Sequence, residues 1–304
     1  MEKKKRLGRG LKDISHYFIS TDHNKEIKEE SADYQDTEAS SACHVVSIID
    51  PFNPKRGASL TAKICLSLCE NGLRTLAVDY EVLFPGIAFT LGCSIPGYLF
   101  SHFLQDCYKP DDLIYTTHSG LNILAPRFNI DDMQNLNTEE ISLMLDTLLA
   151  AESKTDIIVV RGYDDIIAPF VEDAVFIIET SNEAVITAYS SIKSFIAGAK
   201  TGEQGVGIIV TEATDEADAL TIYERIKKCT EQHSGISPHY YGYISNAETS
   251  SVSTIASNII SLRTAEKQNY KGKRPFFERL KSLAIRGRIT EEEFSELRSD
   301  SGSY

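Results

Sequence analysis

Along the chain, short runs of β-branched and aliphatic residues alternate with longer stretches whose apolar positions recur at helical spacing. The runs are VVSII, RTLAVD, LNILAP, DIIVV, AVFIIE, GVGIIV and YYGYI. Between them lie SLTAKICLSLCENG, NTEEISLMLDTLLAAES, NEAVITAYSSIKSFIAGA, DEADALTIYERIKKCTEQ and SSVSTIASNIISLRT. Near-continuous apolar strands separated by amphipathic helices predict an α/β fold, a mostly parallel twisted sheet with helices on both faces. Ligands of such sheets bind beyond the carboxyl ends of the strands.

The alternation runs from Cys43 to Arg263, which sets the expected main domain at residues 43–263. Upstream, TDHNKEIKEESADYQDTEASS is charged and poor in apolar side chains, so it cannot repay the entropy of ordering and predicts a disordered linker over residues 21–42. That linker sets apart a basic amphipathic segment, residues 1–20. Downstream, residues 264–304 are basic, and Phe276, Phe277, Leu280, Leu283 and Ala284 fall on one helical face. A basic helical appendage is expected there, broken at Gly287 before a second short helix containing Phe294 and Leu297.

Composition narrows the function classes. At 304 residues and 42% hydrophobic content, the chain can bury one large core. A formal net charge of −13 argues against nucleic-acid binding by the chain as a whole, and leaves contact with an anionic membrane to local basic patches. The six cysteines form no CxxC pair and fall mostly in apolar segments, which predicts reduced thiols and a cytoplasmic protein, peripheral on the inner membrane if the C-terminus binds lipid. No run approaches eighteen apolar residues, and the start lacks an uninterrupted apolar core, so neither a membrane span nor secretion is expected. The seven histidines are scattered, and no triad, metal cluster or carboxylate pair emerges.

The chemistry concentrates in HVVSIIDPFNPKRGASLTAKICLSLCENGLRTLAVDY, residues 44–80, a strand, a loop, a helix and a second strand ending in Asp79. A phosphate-binding loop works because glycines let successive N–H groups curl around phosphate oxygens at a helix N-terminus, a lysine neutralises charge and a Ser or Thr holds Mg²⁺. The arrangement resembles the MinD/ParA family of P-loop ATPases, whose loop is written KGGVGKT and whose second strand ends in VDxD. PGIAFTLG, LNILAPRFNIDDMQNL and EDAVFIIETSNEAVITAYSSIK resemble later segments of that family, the last most closely its FlhG (FleN) branch. The resemblance implies ATP or ADP with Mg²⁺ as cofactor, a homodimer, and a role in spatial organisation such as flagellar or polar placement, division or partitioning.

The resemblance fails at the chemical positions. Counting back from Gly72 puts the family's lysine at Gly57, and a shift of one residue gives Arg56 or Ala58. Pro51 and Pro54 have no N–H to offer, and only Gly57 takes positive φ without cost. Arg161 stands where the family's switch aspartate is expected, and Thr211 stands near its adenine-facing asparagine. The vestigial nucleotide-binding set is therefore Lys55, Arg56, Gly57, Ala58, Ser59 and Asp79, with Thr61 a second hydroxyl candidate and no catalytic residue. Asp79 as an ordinary strand-end acid and Ser59 as an N-cap are the plainer readings of those two residues.

The ends carry two further resemblances. KKKRLGRGL resembles the LGRGL arm of ParB-type partners, which implies that Arg6, Leu7, Arg9 and Leu11 dock on a ParA/MinD-type ATPase or a polar or flagellar component; a solvated basic tail is the alternative. KGKRPFFERLKSL resembles the membrane-targeting helix of MinD, and with AIRGRITEEEFSEL it also resembles a SHOCT helical pair. Phe276, Phe277, Leu280 and Leu283 are accordingly candidates for membrane contact or self-association. The expected function is a hydrolysis-deficient MinD/ParA-like adaptor or regulator, with an active ATP-dependent dimerising switch and a ligand-free scaffold as alternatives.

Overall fold

A computed structural model describes residues 43–80, 86–93, 113–124, 138–163, 167–199, 204–245, 251–266 and 274–282. Eight strands form one sheet: β1 His44–Ile49, β2 Thr75–Asp79, β3 Ile114–Thr116, β4 Asn122–Leu124, β5 Ile157–Arg161, β6 Asp173–Glu179, β7 Gly205–Thr211 and β8 His239–Ile244. Their spatial order is β3-β4-β2-β5-β1-β6-β7-β8, parallel throughout except for the antiparallel β3–β4 pair. Every apolar run of the sequence becomes a strand of this sheet. The three-residue edge strand β3 carries no such run and was not anticipated.

The helices are α1 Pro54–Glu70, α2 Ile87–Thr90, α3 Thr138–Glu152, α4 Asn182–Ala199, α5 Glu216–Ser234 and α6 Ser251–Glu266, with residues 276–282 forming α7. Strand side chains alternate between the two faces, so each face gathers its own core. Val45, Leu76, Ile158, Phe176 and Ile208 face α3, α4, α5 and α7. Val46, Ala77, Val159, Ile177 and Ile209 face α1, α2 and α6. Helices on both faces of a mostly parallel sheet are what the alternating pattern predicts.

The C-terminal segment departs from the expected appendage. Phe276, Phe277 and Leu280 are buried in the core shared with α3 and the sheet. The buried Glu152 carboxylate at the end of α3 accepts the Phe276 N–H at 2.6 Å and the Phe277 N–H at 3.0 Å. Arg279 donates to the Phe170 carbonyl and to Glu172, while its guanidinium lies over the Phe170 ring. In this arrangement the aromatic face is closed against the chain's own core, so the candidate membrane or self-association residues Phe276, Phe277 and Leu280 present no free surface. Leu283 and the candidate second helix lie outside the described residues, as do Arg6, Leu7, Arg9 and Leu11. No described helix is long and apolar enough to cross a membrane.

Candidate functional site

The site begins where β1 ends. The sequence suggests a phosphate-loop-like connection running to Ser59, but α1 begins at Pro54 and takes in Lys55, Arg56, Gly57 and Ala58. Local chemistry explains the early start. Asn53 is the N-cap and its side-chain oxygen accepts the Arg56 N–H at 3.2 Å, while Pro54 at the first helical position supplies a preset φ. The connection is thereby reduced to Asp50, Pro51, Phe52 and Asn53.

The amides of this short loop are already spent. Asp50 Oδ1 accepts the N–H of Phe52 at 3.3 Å and of Asn53 at 2.8 Å. The Gly57 N–H donates to the Asn53 carbonyl at 3.0 Å, as an ordinary helical residue does. Of the seven residues from Pro51 to Gly57, two have no N–H, Phe52 and Asn53 donate within the loop, and Arg56 and Gly57 donate back to Asn53 from the first turn of α1. An internal carboxylate, Asp50, holds the two amides of the loop.

Gly57 has a different role from the one expected. It is helical and does not adopt positive φ. A Cβ there would stand 2.7 Å from Asp50 Cβ, so the glycine makes room for Asp50 against the helix. Ala58 is buried, Ser59 is half-buried, and Lys55 is exposed in the first turn of α1.

Arg56 closes the arrangement. Its guanidinium forms a two-pronged pair with Asp50, Nε to Oδ2 at 2.8 Å and Nη2 to Oδ1 at 3.0 Å, and makes a close contact to Glu179 at the end of β6. Glu212, just after β7, approaches Arg56 Nη1 at 3.5 Å. Burial pushes the Asp50 carboxyl above its ordinary value, and the Arg56 guanidinium with the loop amides offsets only part of that cost. For Arg56, burial favours loss of the proton, but the bonds and charge of Asp50 and then Glu179 outweigh it and hold the cation more firmly. Charge-assisted, two-pronged pairs of this kind are strong and directional.

The remaining residues that the sequence singled out are similarly engaged. Asp79 Oδ1 accepts Arg161 Nε at 2.6 Å and its Oδ2 accepts the Ile87 N–H at 2.9 Å. Gly86 permits this, since a Cβ there would fall 1.6 Å from Asp79 Oδ2. Arg161 also reaches the Pro54 carbonyl at 3.3 Å, tying the ends of β2 and β5 to the start of α1. Thr61 donates to the Gly57 carbonyl and is buried within its helix, and Thr211 is buried at the end of β7. After Arg161, Tyr163 packs edge-on against Phe176 and Phe195 and donates to the Ser191 carbonyl at 2.9 Å. Tyr163 is thereby held against the core, and residues 164–166 that follow it lie outside the described residues.

The fit to a magnesium nucleotide is therefore poor in this conformation. The loop amides face a carboxylate, Arg56 faces carboxylates, and Asp79 faces a guanidinium. Sequence reasoning missed Asp50, Glu179 and Glu212, which join Arg56 into the network. The available signal was an acidic residue closing each of three apolar runs.

No protein-family model matches the sequence, and no curated protein matches it. Among solved structures the chain is similar to a ParA family ATPase from Chlorobium tepidum, with 16% identity, a TM-score of 0.51, and 80% of this chain and 99% of that one covered. It is also similar to the septum site-determining protein MinD complexed with Mg-ADP from Pyrococcus horikoshii, with 13% identity, a TM-score of 0.51 and coverage of 74% and 98%. A cobyrinic acid a,c-diamide synthase from Mycobacterium smegmatis gives 12% identity, a TM-score of 0.51 and coverage of 74% and 95%. The fold is that of the MinD/ParA-type P-loop ATPases. Identities this low carry the architecture and not the chemistry, and the third structure has a name from a different process on the same scaffold.

Proposed function

We propose that this chain is a nucleotide-independent relative of the MinD/ParA architecture, hydrolysis-deficient, acting as an adaptor or regulator in spatial organisation such as flagellar or polar placement, cell division or partitioning. The observation that carries this reading is the self-occupied loop, in which Asp50 accepts the amides of Phe52 and Asn53 and pairs with Arg56. A phosphate would have to displace a covalently tethered carboxylate that is already desolvated and hydrogen-bonded. The process follows from resemblance to proteins such as septum site-determining MinD, and its partner would be a ParA/MinD-type ATPase or a polar or flagellar component.

A second reading, an ATP-dependent dimerising switch, is favoured by one feature: Lys55 is exposed in the first turn of α1, next to the loop. It requires Asp50 to leave the loop amides and Arg56 to leave its carboxylates. Calorimetric titration of the full chain with ATP and ADP, with and without Mg²⁺, separates the two. No saturable binding at millimolar nucleotide is expected; micromolar, Mg²⁺-dependent binding that disappears in the Ser59→Ala/Asp79→Ala double variant would overturn the proposal.

A further inference from the structure

Five adjacent strands, in the spatial order β2-β5-β1-β6-β7, end in a charged residue or are followed directly by one: Asp79, Arg161, Asp50, Glu179 and Glu212. The stretch of carboxyl edge they occupy is four strand spacings wide, about 19 Å. Two guanidiniums gather all four acids. Arg161 holds Asp79 at 2.6 Å, while Arg56 holds Asp50, contacts Glu179 and lies 3.5 Å from Glu212.

The two groups are joined through one helical turn. Arg161 donates through Nη1 to the carbonyl of Pro54, which opens the turn of α1 that carries Arg56. The start of α1 is thus held by β5 at its first carbonyl and by β1 and β6 through its guanidinium. The Arg161 and Asp79 side chains are only 4% and 8% exposed, so salt screens their pair little. The same carboxylates hold backbone: Asp50 takes the amides of Phe52 and Asn53, and Asp79 takes that of Ile87 at the start of α2. Neither connection can move without parting a charge-assisted bond, and removing one partner of a buried pair is costly.

We propose that Arg56 and Arg161 act as one cooperative clasp on the first turn of α1, locking the carboxyl edge of the sheet in a single closed conformation. The proposal rests on the reading that the loop after β1 is closed to nucleotide, and it adds how that closure is regulated. A ligand transmits its binding by shifting a protein between two arrangements of such connections. The clasp removes the second arrangement, so this edge presents a constant surface instead of a conditional one.

The test is native-state hydrogen exchange of the full chain, resolved to single amides by NMR. Phe52 and Asn53 report on the Arg56 side, Ile87 reports on the Arg161 side, and Phe176 in the sheet core reports global stability. Arg161→Gln should speed exchange at Ile87 and also at Phe52 and Asn53, each by roughly tenfold or more beyond the change at Phe176. Linkage requires the reverse, so Arg56→Gln should loosen Ile87 as well as its own two amides. Lys55→Gln, in the same turn but exposed, should change none of them. Variants that loosen only the amides on their own carboxylate would overturn the clasp, as would equal loosening by Lys55→Gln. Should Arg161→Gln not fold, Arg161→Lys keeps the charge without the two-sided reach. It should still loosen Phe52 and Asn53 beyond Phe176, and no such loosening would overturn the proposal. Repeating the wild-type measurement with Mg-ATP separates the two readings. Protection by Mg-ATP beside coupled loosening in the variants refutes only the nucleotide-independent reading, whereas no response to Mg-ATP with uncoupled variants refutes only the clasp.

Discussion

Replacing Arg56 by alanine distinguishes a structural cation from a phosphate ligand. In the folded chain the Asp50 side chain is wholly buried, and those of Glu179 and Arg56 are 11% and 18% exposed. Arg56→Ala leaves Asp50 with its two loop amides but no counter-charge, and leaves Glu179 without the contact made by Arg56 Nη1. Removing one partner of a buried pair costs about 3 to 5 kcal/mol, and the residual amide bonds place this case at the lower end, about 3 kcal/mol. Lys55→Ala, one residue away but exposed, should change stability by no more than about 0.5 kcal/mol. Urea unfolding of both variants at neutral pH gives the comparison. Asp50→Ala and the double variant complete a cycle whose coupling should fall between about 1 and 3 kcal/mol. Loss of the guanidinium raises the Asp50 pKa further, so the destabilisation should shrink as pH falls. If Arg56→Ala unfolds within about 0.5 kcal/mol of the wild type, Arg56 is not part of the scaffold and the closed-loop reasoning fails.

Three other outcomes follow from contacts already described. Gly57→Ala should destabilise by about 1 to 3 kcal/mol because the new Cβ meets Asp50, although glycine to alanine inside a helix ordinarily gains about 1 kcal/mol; a stabilised variant in thermal melts would show that Asp50 does not pack there. Phe277→Ala should cost about 3 to 5 kcal/mol in urea unfolding if α7 is part of the core, and a change below about 1 kcal/mol would mean the segment does not hold this position. Burial pushes the Glu152 carboxyl above its ordinary value, and the Phe277 and Phe276 amides offset only part of this. The folded chain thus holds that proton more tightly than the unfolded chain. The contribution is complete below 4.5 and is lost as pH rises through the raised value. Wild type should therefore gain stability over Glu152→Gln as pH is lowered from neutral toward 4.5, and a pH-independent difference in denaturant midpoints would contradict this.

Much of the architecture was legible because burial on both faces writes itself into a strand. Val45, Val46, Ile48 and Ile49 leave no polar face to solvent, and only a sheet covered on both sides accommodates them. The edge strand β3 escaped notice because its residues are half-buried or exposed, so nothing in their pattern marks pairing. The C-terminal helix was legible as amphipathic, but an apolar helical face looks the same whether it meets a membrane, another copy or the chain's own core. Glu152, more than a hundred positions earlier, decides the matter by accepting two of its N–H groups.

At the candidate site the division is sharper. The sequence by itself determined that no lysine stands at residues 56–58, and that acidic residues Asp50, Glu179 and Glu212 close three of its apolar runs. Only the tertiary structure decided that those runs are the adjacent strands β1, β6 and β7. Parallel strands connected through helices take neighbours remote in sequence, and here that places the three carboxylates around one guanidinium. The charge network is a consequence of sheet order, which local sequence pattern does not encode.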